Sequence, residues 1–377
     1  MIQYGKQNIA KSDIKAVTNC LKGRYITQGI LPGKFENLLS KYLGFKYCSS
    51  VSNGTSAMFI LAKLLDWKKG DIIAIPTITF VSTAAITDFF GAKPLFIDIN
   101  LENYCIDTDK LELELKKGKK IKAVVVTDYG GSVANWKHLS YLKKRYNFFL
   151  INDQCHALGS EYYKSHKYSS KYCDFSILSF HPVKAITTSE GGAIFSNNKN
   201  YDSKIKLLRS HGIERGSKHW KYDISTTGFN FRLSDLSCSL GISQFKRLKL
   251  FLKKRREIAK KYNKFFKNKE NCFIPLNIEN NLNSYHLYPL RINFNKLNKT
   301  KDQFINFLIK KKIKVQFHYI PTMEFQYFKK KYNMVLNKFP NTKIFYKQVI
   351  SLPIYYDLSN KDLKKILNNI NIFFNKI

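Results

Sequence analysis

Several features of specialised proteins are missing from this 377-residue sequence. No stretch of about 18 uncharged apolar residues occurs, so no membrane span is predicted. The opening residues, Met1-Ile-Gln-Tyr-Gly-Lys, lack the basic region followed by an apolar one that marks a signal peptide, and a cytoplasmic location is therefore expected. The seven cysteines are scattered and form no Cys-x-x-Cys pair, so we expect reduced thiols and no metal site.

Acidic residues are few, and arginine is scarce among the cations. Lys and Arg number 64 against 27 Asp and Glu, which gives a net charge of +37. Only nine of the cations are Arg, the side chain best suited to bidentate recognition of bases and phosphates. The lysines are spread along the chain, which favours a solvated surface over a nucleic-acid site. A benefit for binding anionic substrates stays open.

Short apolar runs alternate with helical stretches, which predicts βαβ units and a mainly parallel sheet. The predicted strands are 72–76, 94–99, 121–128, 148–153, 175–180 and 193–196, and the predicted helices among them are 55–67, 80–90 and 133–146. A long helix is predicted from Ser234 to Phe266. Beyond it we predict a strand at 285–292, a helix at 302–312, a strand at 313–318 and a last helix after Asn360. This pattern predicts a large domain with an N-terminal arm over residues 1–245, and a long helix with a small domain over residues 246–377.

One lysine stands where a strand end is expected to meet a cavity. Lys184 follows the predicted strand 175–180 and precedes Gly191-Gly192. Strand ends line the ligand crevice in open α/β sheets. A lysine that loses its proton in a partly desolvated site can form a Schiff base with an aldehyde cofactor. The alternative is the surface role that most of the lysines have.

An acidic residue closes the neighbouring predicted strand 148–153. Asp153 would need a partner if it is buried, because an unpaired buried charge is costly. A protonated pyridine nitrogen would supply that partner, and the ion pair would keep the ring electron-deficient. Asp153 could instead cap the following turn. His156 could contact a ring hydroxyl or simply pack.

Small polar residues lead into the predicted helix 55–67. The run Ser52-Asn-Gly54-Thr55-Ser56 offers backbone N–H groups and a helix N-terminus, which favour a phosphate. Ordinary N-capping is the alternative. Phe80, at the start of the next predicted helix, could stack on a planar ring or belong to the core.

Taken together, these stretches resemble the sugar aminotransferases of the DegT/StrS type, which belong to the pyridoxal-phosphate (PLP) enzymes of fold type I. The resemblance covers nearly the whole chain, and several motifs stand in the same order. They are Tyr4-Gly5, Arg24-Tyr-Ile-Thr27-Gln-Gly29, Ser52-Asn-Gly-Thr55, Asp153-Gln-Cys-His-Ala-Leu-Gly159, Ser179-Phe-His-Pro-Val-Lys184, Arg209-Ser-His-Gly212, Gly228-Phe-Asn230-Phe-Arg232 and Phe317-His318-Tyr319-Ile-Pro321.

The resemblance implies an α/β fold of the aspartate-aminotransferase type, with a mainly parallel, seven-stranded type of sheet in the large domain and a smaller α+β C-terminal domain. It implies that Lys184 is the catalytic lysine and that Asp153 pairs with the pyridine nitrogen. Asn230 would reach the phosphate of the neighbouring subunit, which implies a homodimer with shared sites, although a turn residue is the alternative. The other residues implied at the cofactor are Gly54, Thr55, Ser56, Phe80, His156 and Ser179.

The resemblance also implies a nucleotide-sugar substrate. Thr127-Asp-Tyr-Gly-Gly and Val315-Gln-Phe-His-Tyr-Ile-Pro321 are most similar to family members of pseudaminic-acid biosynthesis. These members imply transfer of the amino group of L-glutamate, which leaves 2-oxoglutarate, to the C4 ketone of a UDP-linked 4-keto-6-deoxy-N-acetylhexosamine. The residues expected at the sugar nucleotide are Tyr4, Arg24, Tyr25, Ile26, Thr27, Gln316, Phe317, His318 and Tyr319.

Other functions stay open on the same fold. One is a different nucleotide-sugar 3- or 4-aminotransferase, such as a perosamine-type synthase. Another is a basic regulatory protein without catalysis. Related sugar 3-dehydratases carry His at the key position, so Lys184 argues against that reaction. Gln154 departs from the family pattern, which usually has a small residue beside the acid.

Overall fold

The computed structural model describes residues 1–216, 220–267, 269, 271–276 and 281–374. The α-helices of these ranges are α1 Lys11–Leu21, α2 Leu31–Leu43, α3 Gly54–Leu64, α4 Ser82–Phe89, α5 Thr108–Lys116, α6 Trp136–Tyr146, α7 Tyr168–Tyr172, α8 Lys199–Leu208, α9 Asp235–Lys246, α10 Leu248–Phe266, α11 Lys301–Lys310, α12 Gln326–Tyr332, α13 Pro340–Gln348 and α14 Asn360–Phe373. Short 3-10 turns lie at Tyr129–Gly131, Thr322–Glu324 and Leu336–Lys338. No helix of the described ranges combines the length and the apolar character needed to cross a bilayer.

The strands are β1 Tyr47–Val51, β2 Ile72–Pro76, β3 Lys93–Ile97, β4 Ile121–Thr127, β5 Phe149–Asp153, β6 Glu161–Tyr162, β7 Phe175–Ser179, β8 Gly192–Ser196, β9 Ile213–Arg215, β10 Tyr222–Ile224, β11 Phe273–Pro275, β12 Asn281–Leu282, β13 Tyr288–Ile292 and β14 Val349–Leu352. Seven of them form the central sheet in the order β1-β8-β7-β5-β4-β2-β3. All neighbours pair in parallel except β8, which is antiparallel to both β1 and β7. The predicted α/β fold with a mainly parallel, seven-stranded sheet is confirmed.

Helices cover both faces of this sheet, which explains the nearly continuous apolar strands. Along β4, Val124 and Val126 pack into one hydrophobic cluster, whereas Ala123 and Val125 pack into the cluster on the opposite face. Side chains of a strand alternate between faces, so a sheet buried on both sides requires apolar residues at every position. The strand ends are then the places where polar side chains can lie.

A third hydrophobic cluster belongs to the C-terminal part of the chain. It contains Ile258, Tyr262 and Phe266 of α10, together with residues of the small sheet β11-β13-β14 and of α14. The first turns of the same helix pack into a cluster of the large sheet through Phe251 and Leu252. Helix α10 therefore joins the two cores. The exact division at residues 245 and 246 stays a prediction.

Two predicted elements differ in the structure. The predicted helix 234–266 is divided into α9 and α10 at Arg247, whose φ and ψ of −101° and 1° are not helical. The guanidinium of Arg247 donates to the carboxylate of Asp13 at 3.0 Å, so the break coincides with the docking of α1. The predicted strand 313–318 forms no strand. Only isolated bridges of Ile313 to Ile2 and of Gln316 to Ser351 occur there.

Candidate active site

A cavity of about 520 Å³ opens at the carboxyl ends of the parallel strands. This volume lies in the range of about 300–1,000 Å³ that is typical of small-molecule sites. Most of the residues predicted for the site line this one cavity: Tyr4, Gly54, Thr55, Phe80, Asp153, His156, Ser179, Lys184, Gln316, Phe317, His318 and Tyr319. The topology of the sheet therefore brings together side chains that are far apart in the sequence.

The floor of the cavity is built by three neighbouring strands in register. Thr127, the last residue of β4, pairs with Asp153 of β5, and Asp153 pairs with Ile177 of β7. Paired residues of adjacent strands point to the same face of a sheet, and all three line the cavity. Asp153 is 7% exposed, and its Oδ1 accepts the backbone N–H of Cys155 at 3.2 Å. A nearly buried carboxylate thus faces the cavity.

Lys184 lies in a loop that is closed at its base. The N–H of Phe180 donates to the carbonyl of Gly191 at 2.8 Å, and the N–H of Thr188 donates to the carbonyl of Phe180 at 3.1 Å. Within the loop, the N–H of Lys184 donates to the carbonyl of His181 at 2.9 Å. These bonds hold the lysine beside the end of β7, and its side chain lines the cavity.

Burial governs the protonation of the basic groups at this end of the cavity. Burial lowers the pKa of Lys184, against the opposing effects of Cys155 and of the negative charge of Asp153. The imidazoles of His156 and His286 have pKa values well below their ordinary value because they are buried. Burial and the positive charge of Lys184 lower the pKa of His318 to about 3. The histidines are therefore neutral near pH 7, and the amine is closer than usual to losing its proton.

The N-terminus of α3 forms another wall. Asn53 caps the helix, since its Oδ1 accepts the N–H of Ser56 at 2.7 Å. The first N–H groups of a helix have no partner within it, and Gly54 and Thr55, which carry them, line the cavity. A Cβ on Gly192 would lie 2.5 Å from the carbonyl carbon of Asn53. Glycine at 192 therefore allows β8 to pass close behind this helix start.

The opposite wall comes from the N-terminal arm and the 316–319 segment. The arm is held by Ile2, whose N–H donates to the carbonyl of Lys312 at 2.8 Å. The ring of Tyr4 then lies 5.2 Å from the ring of His318. The rings of Tyr319 and Phe80 pack edge to face, with 5.8 Å between their centroids. Phe80 is 50% exposed, so it belongs to the cavity wall and not to the core.

Comparison with known proteins places the whole chain in one family. The family model described as the DegT/DnrJ/EryC1/StrS aminotransferase family matches residues 7–371. The chain belongs to this family. It is also 41% identical to the UDP-4-amino-4,6-dideoxy-N-acetyl-beta-L-altrosamine transaminase of Campylobacter jejuni subsp. jejuni serotype O:23/36, over 100% of this chain and 98% of the relative.

Solved structures of family members have the same fold. An aminotransferase of Helicobacter pylori involved in the biosynthesis of pseudoaminic acid, PseC, is 30% identical and superposes with a TM-score of 0.92 over 100% of both chains. A putative sugar aminotransferase of Streptococcus pneumoniae, in its PLP form, is 25% identical with a TM-score of 0.89, over 100% of this chain and 99% of the other.

The residues of the cavity fit PLP, the cofactor of this family. The group needs an amine that can lose its proton, an acid for the ring nitrogen and donors for a phosphate. Lys184, Asp153 and the start of α3 supply these in one cavity, and Gly192 keeps the space behind the helix start. Among the described residues, no group of three or more His, Cys, Asp or Glu could hold a metal ion.

Some predicted residues of this family member lie outside the cavity of their own chain. The hydroxyl of Ser56 is bonded to Asn53 and Ser52, so this side chain is directed into the helix cap. Asn230 is exposed and forms an isolated bridge with Ser210. The segment 24–27, predicted at the sugar nucleotide, also lies outside the cavity. Its four residues are exposed: Arg24, Tyr25, Ile26 and Thr27.

The loop that carries these four residues is fixed by a single carboxylate. Oδ2 of Asp235 accepts the N–H of Gly29 at 2.8 Å, and Oδ1 accepts the N–H of Leu31 at 3.0 Å. The N–H of Asp235 in turn donates to the carbonyl of Ile26 at 3.1 Å. The loop is therefore ordered by contacts with the start of α9, and its exposed side chains have a defined position.

Sequence reasoning left several polar residues of the cavity unassigned, among them Asn53, Ser82, Thr127, His181, Glu190 and His286. Thr127 could have been found, because it ends β4 as Asp153 ends β5. His286 carries no comparable local signal. It is 6% exposed, and its Nδ1 has no hydrogen-bond partner within the described part of the chain.

Gln154, the departure from the family pattern, does not face the cavity. Its side chain is fully buried, its Nε2 donates to the hydroxyl of Tyr168 at 3.1 Å, and its Oε1 accepts the hydroxyls of Ser169 and Ser176, each at 3.0 Å. Its neighbour Asp153 points to the opposite face because successive residues of a strand alternate. The larger residue therefore belongs to a polar network below the sheet and does not line the cavity.

Proposed function

We propose that the chain is a PLP-dependent aminotransferase that moves the amino group of L-glutamate to the C4 ketone of a UDP-linked 4-keto-6-deoxy-N-acetylhexosamine. The observation that carries this proposal is the presence in one cavity of Lys184, an amine of lowered pKa, and of the nearly buried carboxylate of Asp153. The name of the 41% identical relative supports the sugar. The proposal includes the predicted cytoplasmic location.

The proposed chemistry depends on proton transfer by Lys184. When bound, PLP supplies an aldehyde carbon that exchanges amines and an electron-poor ring that accepts an electron pair. The Nζ of Lys184 takes the proton from Cα of L-glutamate and, in the second half of the cycle, delivers a proton to C4 of the sugar. Its lowered pKa favours both steps, because this amine gives up its proton more readily than an ordinary lysine.

The other residues would bind and orient. The carboxylate of Asp153 would keep a proton on the ring nitrogen, since a negative charge nearby favours the protonated form. The N–H groups of Gly54 and Thr55 and the hydroxyl of Ser179 would hold the phosphate. Phe80 would cover the ring face.

The sugar nucleotide would occupy the wall formed by Tyr4 and the 316–319 segment. This end of the cavity contains aromatic and imidazole rings, which suit the apolar faces of a deoxysugar and a base. Binding energy from the distant nucleotide can be used to orient the reacting carbon. The excess of positive charge would favour the diphosphate.

We also propose a homodimer with shared active sites. Asn230 and the 24–27 segment lie outside the cavity of their own chain, and exposed apolar side chains accompany them: Tyr25 is 51% exposed, Ile26 49% and Phe229 52%. Clusters of exposed apolar residues are typical of protein interfaces. In the dimer these residues would complete the cavity of the partner.

The decisive experiment is reconstitution followed by a substrate panel. The purified chain, incubated with PLP, is expected to show a visible absorbance band that borohydride removes. It should then aminate a UDP-linked 4-keto-6-deoxy-N-acetylhexosamine with L-glutamate, with the product identified by NMR. A preference for a 3-keto hexose or for another nucleotide would shift the assignment to a different sugar aminotransferase. Absence of the band would favour a basic regulatory protein.

A further inference from the structure

The hydroxyl of Tyr319 occupies an unusual hydrogen-bonding position. It lies 2.9 Å from Nε2 of His156, and this is the one side-chain hydrogen bond of Tyr319 within the described residues. The other ring nitrogen of His156, Nδ1, accepts the backbone N–H of Gly130 at 3.2 Å. Gly130, His156 and Tyr319 therefore form a short chain of hydrogen bonds that ends at the cavity wall.

The direction of this chain follows from the backbone donor. A backbone N–H can only donate, so Nδ1 of His156 must be the unprotonated nitrogen. His156 is neutral, because burial and the charge of Lys184 keep its pKa well below the ordinary value. The single proton of the ring is therefore on Nε2, which donates to the oxygen of Tyr319. The hydroxyl proton of Tyr319 must then point away from His156.

No protein acceptor takes that proton among the residues that the structure describes. Within the described ranges, the hydrogen bond found for the hydroxyl of Tyr319 is the one with His156. The ring of Tyr319 lines the cavity together with Phe80 and Lys184. Burial and the negative charge of Asp153 raise the pKa of Tyr319, so the phenol stays protonated at working pH. It can therefore act as a permanent hydrogen-bond donor, but not as a proton shuttle.

Gly130 suits its place at the start of the chain. It lies in the turn Tyr129–Gly131 with a φ of 64°, a conformation that side chains with a Cβ rarely adopt. The turn is fixed from the small domain, because the N–H of Leu287 donates to the carbonyl of Gly130 at 3.1 Å. The motif Thr127-Asp-Tyr-Gly-Gly thus supplies the donor that determines the tautomer of His156.

We propose that Tyr319 donates a hydrogen bond to an oxygen acceptor of the molecule bound beside Lys184, in a direction set by His156 and Gly130. The inference rests on the proposed function, which offers two such oxygens. One is the phenolic oxygen of the cofactor ring, and the other is the C4 carbonyl oxygen of the keto-sugar. Both oxygens are strong hydrogen-bond acceptors that carry more negative charge than the oxygen of a neutral hydroxyl. A donor held in a fixed direction therefore stabilises either one.

The test compares Tyr319→Phe with the wild-type protein and with Tyr262→Phe. Tyr262 is also buried, and its hydroxyl donates to the carbonyl of Pro353 at 2.9 Å in the small domain, so the control removes one matched hydroxyl away from the cavity. Three quantities are measured on the PLP-loaded proteins: the absorbance spectrum as a function of pH, the single-turnover rate with L-glutamate, and the single-turnover rate of the amino form with the UDP-linked keto-sugar.

The measurements distinguish the two possible acceptor oxygens. If the acceptor is the phenolic oxygen, Tyr319→Phe shifts the pH titration of the absorbance band and slows both half-reactions. If it is the sugar carbonyl, the titration is unchanged and only the sugar half-reaction slows, by about ten- to a hundredfold. Tyr262→Phe should leave all three quantities at wild-type values. Wild-type values of all three for a folded Tyr319→Phe would overturn the inference.

The orienting role of His156 has its own readout. His156→Asn keeps an oxygen that can accept the N–H of Gly130, but its shorter side chain leaves the amide N–H groups out of reach of the hydroxyl of Tyr319. His156→Asn should therefore affect the same quantity as Tyr319→Phe, and the double variant should be no worse than the more severe single one. Full additivity would remove His156 from the inference. A wild-type protein that neither binds PLP nor transaminates would instead refute the proposed function itself.

Discussion

The strand-end floor of the cavity and the exposed segment of residues 24–27 were both predicted as parts of one site, yet they lie in different places. Asp153 and Ser179 line the cavity because they end neighbouring strands of one sheet. Arg24 and its neighbours are fixed to the start of α9 and face outward. The difference teaches that sheet topology assembles the strand-end part of the site within one chain, whereas the 24–27 segment would reach a cavity only in the proposed homodimer.

The largest expected effect concerns the amine of Lys184, which lies beside the floor of the cavity. Lys184→Ala should lose the visible absorbance band and lower the rate of amino transfer by about 10²–10⁴-fold or more, because it removes both the covalent attachment and the general base. The band and the overall rate with L-glutamate are the measurements. Lys361→Ala, at the exposed start of α14, is the matched control. A Lys184→Ala protein that transaminates normally would refute the assignment of the site.

A smaller loss is expected for the acid of the same floor. Asp153→Asn keeps an oxygen for the N–H of Cys155 but loses the negative charge that would hold the ring nitrogen protonated. Loss of a charged hydrogen bond, about 1.5–3 kcal/mol, corresponds to a ten- to hundredfold lower kcat. Asp66→Asn removes an exposed carboxylate paired with Lys68 and should leave kcat unchanged. Equal kcat values for the two variants would contradict the role of Asp153.

Asn230, which lies outside the cavity of its own chain, allows the comparison of the two regions to be tested. Asn230→Ala should weaken PLP binding by about tenfold, as expected for loss of one hydrogen bond to a charged group. If Asn230 acts on the partner, mixing this variant with Lys184→Ala should create one complete site in each mixed dimer.

The mixture is assayed at a PLP concentration that saturates only the wild-type protein. Under statistical exchange, about a quarter of the wild-type sites should be recovered. Equal amounts of the two variants, measured separately, give the baseline. No recovery after subunit exchange would show that Asn230 serves its own chain or none.

The same contrast explains what could be predicted from the sequence. Strands β2, β4, β5 and β7 were found to within one residue at either end, because a strand buried on both faces gives a short apolar run between polar ends. The residues that follow such runs are therefore the predictable part of the site. Lys184 and Asp153 belong to this class, whereas the start of α3 was predicted from the small polar residues Ser52-Asn-Gly54-Thr55-Ser56 that precede a helical pattern.

Other parts carry no local signal. The helical pattern continues through Arg247, and the break between α9 and α10 coincides with the contact of Arg247 with Asp13, which is 234 residues away. The bond between His156 and Tyr319 joins residues 163 positions apart. Such contacts arise when the arm and the small domain meet the large sheet. Neither propensity nor periodicity within one segment encodes them.

A buried histidine in the cavity wall predicts a dependence of stability on pH. His318 has a pKa of about 3 in the folded chain, below its ordinary value of 6.5, because it is buried and faces Lys184. Unfolding therefore takes up a proton. The stability contributed by the neutral form is fully present above pH 6.5 and is lost as the pH falls from there towards 3, by up to about 1.4 kcal/mol per pH unit for this group.

His318→Asn should make that decline shallower by about the same amount, while the side-chain amide keeps a partner for the hydroxyl of Ser351, which now lies 3.0 Å from Nδ1. The free energy of unfolding in urea, measured between pH 7 and 5 at one protein concentration, gives the slope. His211→Asn is the control, because His211 is exposed and Asn tolerates its φ of 65°. A slope that is unchanged in His318→Asn would mean that the imidazole is solvated, and that the wall beside Tyr4 is more open than the structure indicates.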